Sequence, residues 1–211
     1  MNIQHIIWDW NGTLQDDVQA AVNGINALLE PRGLPLCDVA RHRRHFRFPV
    51  RKYYEALGFD LEREDWQAMA QRFHDVFEAD TSARLRPEAI PVLDAFRKGG
   101  VGMSVLSACE QGILERTLRR YGIYDYFDVV SGLDNLSAHS KVDNGIKLLQ
   151  TLNLPRQSIW MVGDTEHDYE VAQALGISCL LLTDGYQDVE RLRQCPCPKI
   201  NNLNEIGVYL C

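Results

Sequence analysis

Two carboxylates, a lysine and a hydroxyl each stand where a short apolar run has just ended. Asp9 opens the turn Asp9-Trp10-Asn11-Gly12-Thr13-Leu14, Ser107 follows the run 101–106, and Lys141 comes after the run 127–130 and a polar loop. Asp164 lies in Gly163-Asp164-Thr165-Glu166-His167-Asp168, which follows 158–162 and opens a helical pattern. Oxygen donors beside a cation suit a divalent ion and an anionic group. Mg²⁺ takes one or two carboxylates and fills its octahedral shell with water and phosphate oxygens, and Asp9 and Asp164 can supply those carboxylates. A phosphoryl group in flight needs its equatorial oxygens neutralised, a task for Lys141, the hydroxyls of Ser107 and Thr13, and the backbone N–H groups of the first turn. A carboxylate such as Asp9 can itself be the nucleophile, forming an aspartyl-phosphate that water then cleaves.

For this chemistry the four places must reach one edge of the molecule. The runs 3–8, 101–106, 127–130, 158–162 and 177–182 are rich in Val, Ile and Leu and read as strands buried on both faces, the mark of a parallel sheet. Helical patterns at 90–98, 110–120, 143–152 and 166–175 separate them, two ending at Gly122 and Gly176. Strand alternating with helix predicts an α/β, Rossmann-like doubly wound sheet, whose ligands sit at the carboxyl ends of the strands. One stretch breaks the alternation. From Asp17 to about Asp80 no parallel-sheet strand is visible; instead Val18, Ala21, Val22, Ile25, Leu28 and Leu29 share one helical face, as do Trp66, Met69, Ala70, Phe73, Val76 and Phe77 further on. The expected organisation is a core of residues 1–15 and 81–211 with an inserted α-helical cap of residues 16–80, placed to cover the strand ends.

The 22 basic against 29 acidic residues give a net charge of −7, which argues against a general grip on nucleic acid. No apolar run approaches the roughly 18 residues of a membrane span, and the N-terminus lacks a secretory pattern, so the expectation is a cytoplasmic protein. Its six cysteines (Cys37, Cys109, Cys179, Cys195, Cys197, Cys211) are then free thiols. Cys195-Pro196-Cys197 has no second Cys/His pair at zinc spacing. The expected partner is a small phosphorylated metabolite, with no nucleic acid and no membrane, and the expected state a monomer or weak dimer.

In order and spacing the four elements resemble the haloacid dehalogenase superfamily, most of all its helical-cap subclass of the phosphoglycolate phosphatase kind. The likeness spans essentially the whole chain. It implies a nucleophile at Asp9, Mg²⁺ held by the Asp9 side chain, the backbone carbonyl of Asn11 and Asp164, support of that shell by Asp168, and a phosphoryl group bound by Ser107 and Lys141. One position departs: Asn11 stands where phosphatases of this family usually carry an Asp that protonates the leaving alkoxide and then activates water. Asn cannot ionise, and lost acid-base help costs about 10² to 10⁴ in rate. Three explanations stand. The leaving group needs no proton, another side chain such as His139 or a cap residue supplies it, or the protein is a weak, phosphometabolite-binding member. A phosphonate-cleaving relative using a cap lysine is a further alternative, with Lys52 at roughly the required place. A dehalogenase would not need Asp164, Asp168 and Lys141.

Bland readings stand beside these. Lys147 competes with Lys141 but falls within a helical pattern; Asp164 and Asp168 also suit a helix start. The cap holds six positive charges in twelve residues, Arg41, Arg43, Arg44, Arg47, Arg51 and Lys52, usually a solvated face. Within that run the turn Phe46-Arg47-Phe48-Pro49 offers Arg47 as a substrate contact. His42 and His45 read as cap surface, Trp8, Trp66 and Trp160 as packing, and Trp10 as pointing from the active-site turn.

Overall fold

The computed structural model describes residues 3–134 and 141–210. His139 and Cys211 lie outside them. Six parallel strands form the core sheet in the order β5-β4-β1-β6-β7-β8, with β1 His5–Trp8, β4 Gly102–Glu110, β5 Val129–Leu133, β6 Ile159–Gly163, β7 Ser178–Leu182 and β8 Lys199–Ile200. β1 pairs on one side with β4 and on the other with β6. The chain winds outward from β1 through β4 to β5, then crosses to β6 on the opposite side, so the site-bearing ends of β1, β4 and β6 meet where the winding reverses.

Alternation along β1 sorts its side chains between two cores. Ile6 and Trp8 join the face covered by α5 (Ala89–Lys98) and α6 (Gln111–Arg120). Ile7 joins the face covered by α7 (Val142–Leu152) and α8 (Glu166–Leu175). All three are fully buried, each contributing roughly 1.5–3 kcal/mol, enough to fix the register that delivers Asp9. β8 is a strand of two residues, too short for periodicity to reveal. β4 runs past Ser107 to Glu110, with an irregular register after Leu106.

Between β2 (Gln15–Asp16) and β3 (Arg84–Leu85), an antiparallel ribbon, lie the helices α1 Val18–Leu29, α2 Val39–His45, α3 Val50–Leu57 and α4 Trp66–Ala79. They enclose a core of their own around Ile25, Leu28, Leu29, Tyr53, Leu57 and Met69. None of the described helices is long and apolar enough to cross a membrane.

His5 is a polar residue within the sheet, where its Nε2 shares a hydrogen bond with Ser104 Oγ on β4 at 2.8 Å. Burial lowers its pKa to about 4, against a smaller upward pull from Asp128. The unfolded chain therefore binds more protons between pH 6.5 and 4, and stability tied to this group is intact above pH 6.5 and lost as pH falls towards 4. His5→Gln should flatten the fall in folding free energy across that window relative to the parent, by up to about 1.4 kcal/mol per pH unit. Parallel curves for the two proteins would show that His5 is not the group responsible.

Candidate active site

Asp9 leaves the end of β1 with its backbone N–H bonded to Val162 O at 2.8 Å, so the β1–β6 pairing sets its carboxylate beside Asp164. The turn after it folds back on Trp10 O, which accepts from the N–H groups of Thr13, Leu14 and Gln15. Gly12 holds φ +77°, and a Cβ there would lie 2.3 Å from Asp164 Oδ2. A Cβ on Gly185 would lie 2.2 Å from the same oxygen. Two glycines thus let two backbones close on one carboxylate. Thr13 Oγ1 donates to Asp164 Oδ1 at 2.7 Å and the Tyr186 N–H donates to Oδ2 at 2.7 Å.

Lys141, just ahead of α7, is the hub. Its Nζ lies 2.7 Å from Asp9 Oδ1 and 2.6 Å from Asp168 Oδ1, and it donates to Leu106 O at 3.3 Å. Burial alone would lower its pKa, but the charges of Asp168 and Asp9 outweigh that and raise it. Asp168 Oδ2 accepts from the N–H groups of Asp164 and Thr165 and from Thr165 Oγ1, closing a capping box at the start of α8. Burial would push the Asp168 carboxyl up, yet Lys141 holds it below the ordinary range. Asp9 rises to about 6 through burial and the charge of Asp168, with Lys141 pulling the other way. Asp164 is raised well above the usual value by burial, then by the charges of Asp9 and Asp168.

One ammonium therefore faces three buried carboxylates, each with an oxygen within 4.8 Å of the others. Their mutual repulsion is the imbalance a divalent cation removes, and an all-oxygen donor set suits Mg²⁺. Asp9, Asp164 and Asp168 fit such an ion. The hydrogen bonds on Asp168 Oδ2 make it the frame for the Asp164 loop as well.

A cavity of about 1130 Å³, counting its open mouth, lies between cap and core, and Asp9, Asn11, Ser107, Lys141 and Thr165 line its floor. Ser107 Oγ accepts from the Cys109 N–H at 3.1 Å, leaving its own hydrogen for a ligand. Thr13 is elsewhere than expected. Fully buried and bonded to Asp164, its hydroxyl positions that carboxylate and does not line the cavity. Arg47 is likewise absent from the wall: its Nε donates to His45 O at 3.1 Å, while its neighbours Phe46 and Phe48 turn inward. His42, expected on the surface, is 1 % exposed and stacks on Phe46. Trp10 is buried in the core against Tyr121. Lys52 is exposed and outside the cavity.

The basic run of the cap has a use the sequence left open. Arg43 reaches the loop after β7, donating from Nε to Gly185 O at 2.8 Å and pairing with Asp184 at 2.8 Å. From the core side Arg86 reaches the same loop through Asp184 O at 2.6 Å and also holds Gly12 O at 2.9 Å. Asp17 is the other residue that motif reading passed over. Its Oδ2 accepts from Asn11 Nδ2 at 2.6 Å and its Oδ1 from the Gly12 N–H at 2.9 Å. Burial raises its pKa to about 7, the Asn11 and Gly12 bonds opposing. The signal in the sequence was an acid closing the Asp9 turn.

The chain is 26 % identical over 208 residues to the phosphoglycolate phosphatase of Chromobacterium violaceum, covering 91 % of each. It is 30 % identical to the tyrosine-protein kinase PtkA of Mycobacterium tuberculosis over 87 % of this chain, which spans 63 % of the length of that protein. The solved structure of PtkA superimposes with a TM-score of 0.82 at 24 % identity, covering 99 % of this chain and 98 % of that one. A haloacid dehalogenase-like family hydrolase from Streptococcus pneumoniae gives 0.75 at 21 % identity, covering 99 % of each. The model of the haloacid dehalogenase-like hydrolase family matches residues 6–182, and the chain belongs to that family.

Proposed function

We propose that the protein is a Mg²⁺-dependent phosphatase that cleaves a phosphate monoester through an aspartyl-phosphate at Asp9. The observation that carries this reading is the buried Lys141 bridging Asp9 and Asp168 beside Asp164, all at the floor of a cavity. Lys141 occupies Oδ1 of Asp9, which leaves Oδ2 as the attacking oxygen. That oxygen forms the bond to phosphorus as the ester oxygen departs with its electron pair. Water then attacks phosphorus, the P–O bond to Asp9 breaks, and the carboxylate and inorganic phosphate are released. Lys141 Nζ and the Ser107 hydroxyl are placed to meet the phosphoryl oxygens, and Asp168 keeps Lys141 charged and aimed. Asp9, Asp164 and the backbone carbonyl of Asn11, with Asp168 behind, would hold Mg²⁺, which would supply the positive charge this acidic floor lacks. Lys52, exposed and outside the cavity, counts against the phosphonate-cleaving alternative.

A screen of monoesters with and without Mg²⁺ tests the reading: phosphate release that stops with chelator is expected. Asp164→Ala should raise the Mg²⁺ concentration for half-maximal activity by about tenfold or more, because a direct carboxylate ligand is lost. An unchanged requirement would move the metal elsewhere. Binding of phosphate without release from any monoester would make the protein a non-turnover member.

A further inference from the structure

Above the phosphoryl floor the cavity changes character. The cap turns Phe46, Phe48, Tyr54, Trp66, Phe73 and Phe77 onto it. These rings form connected stacks: Phe46 meets Phe48 at 5.5 Å edge-on, and Phe73 stacks on Phe77 at 5.7 Å. Lys141 is the sole Lys or Arg among the described residues of the wall, and its charge is already met by Asp9 and Asp168. Glu110 is the one acid outside the floor, and its oxygens accept from the N–H groups of Gly112 and Ile113. The cap arginines, which would receive an anionic leaving group, point elsewhere, Arg43 to Asp184 and Arg47 to His45 O. Set in this apolar wall is His42, 1 % exposed, its Nδ1 bonded to the Tyr53 hydroxyl at 2.8 Å and its Nε2 without a partner. His74 on α4 lines the same space, and its Nδ1 is likewise buried without a partner.

We propose that the leaving group of the substrate is an uncharged alcohol or phenol with an aromatic body, seated among the cap rings. The inference rests on the phosphatase reading of the floor and specifies its substrate class. A carboxylate-bearing leaving group of the glycolate kind would enter an apolar wall with no free Lys or Arg among the described residues and with Glu110 in the same wall, a desolvation cost that these residues do not offset. An aromatic ring instead gains burial and edge-to-face contacts.

Phosphonates separate binding from turnover, since a C–P bond offers no ester oxygen to depart from phosphorus. Calorimetric titration of the Mg²⁺-loaded protein with 1-naphthylmethylphosphonate, methylphosphonate and phosphonoacetate should give the naphthyl compound at least about tenfold tighter binding than methylphosphonate, and phosphonoacetate weaker binding than either. Ala70→Trp, which fills the cavity from α4, should bring the ratio of naphthyl to methyl affinity close to one. Phe48→Lys should invert the order in favour of phosphonoacetate. A thermal melt of each variant confirms that it is folded. If the naphthyl compound binds no better than methylphosphonate, or phosphonoacetate binds best to the parent, the proposal is overturned, and the phosphatase reading survives provided monoesters still release phosphate. If no monoester releases phosphate, both fall.

Discussion

Asp9→Asn is expected to lower phosphate release by about 10⁴ to 10⁶, the scale on which removal of a nucleophile is felt, while leaving the fold in place. The loss follows from chemistry: an amide oxygen has neither the charge nor the electron density to displace an alkoxide from phosphorus. Retention of the fold follows from the surroundings. Asp9 is one of three carboxylates crowded within 4.8 Å, and its raised pKa says the folded state already resists its ionisation. A neutral side chain of the same shape keeps an oxygen for Lys141 Nζ and removes one repulsive partner from Asp164. The thermal midpoint of the variant should equal or exceed that of the parent in metal-free buffer. Activity within tenfold of the parent would end the nucleophile assignment; a large drop in midpoint would mean that Asp9 serves packing.

Asp9 and Asp164 could be read from the chain because each follows an apolar run that only a buried strand explains, and because adjacent parallel strands deliver their ends to one edge. Trp8 and Val162 are cross-strand partners, so the pairing that buries them also sets the two acids side by side. Where a side chain points within a turn is not periodic, and there the sequence said less. Thr13 follows Asp9 by four residues, as a phosphate-contacting hydroxyl could, but Trp10 O gathers the turn tightly enough to direct its Oγ1 to Asp164. In the cap the charges drew attention and the rings did the lining. Arg47 stands between Phe46 and Phe48, and alternation along the turn sends the arginine out and both rings in. The aromatic spacing across residues 46–77 was visible, but which of those rings pack inside the cap and which face the cavity depends on how α1 and α4 meet, a contact no local pattern encodes. Arg43 and Asp184 are paired across 141 residues, a distance at which one sequence carries no pairing signal.

Position 11 is the departure with the greatest mechanistic weight, and its surroundings decide how it can be tested. Asn11 Nδ2 lies 2.6 Å from Asp17 Oδ2. Asn11→Asp alone would set a half-buried carboxylate against the buried Asp17 in that contact, sharing a proton the way paired acids do. Folding would then weaken by about 1–3 kcal/mol, and the new carboxyl would not titrate as a free acid. The exchange Asn11→Asp with Asp17→Asn keeps both hydrogen bonds: the amide at position 17 donates to the carboxylate at position 11, while its oxygen still accepts from the Gly12 N–H. With the acid moved to the cavity side, alkyl phosphates should be cleaved faster by something approaching 10² to 10⁴, aryl phosphates far less, because a phenolate departs with little need of a proton. A limb in the pH–rate profile for alkyl substrates, absent from the parent, should accompany the gain. The parent should accordingly prefer aryl over alkyl leaving groups in kcat by a margin the double variant erases. Equal rates for both classes in the parent, unmoved by the exchange, would place the proton donor on another residue and leave Asn11 as no more than a hydrogen-bonding spacer held by Asp17.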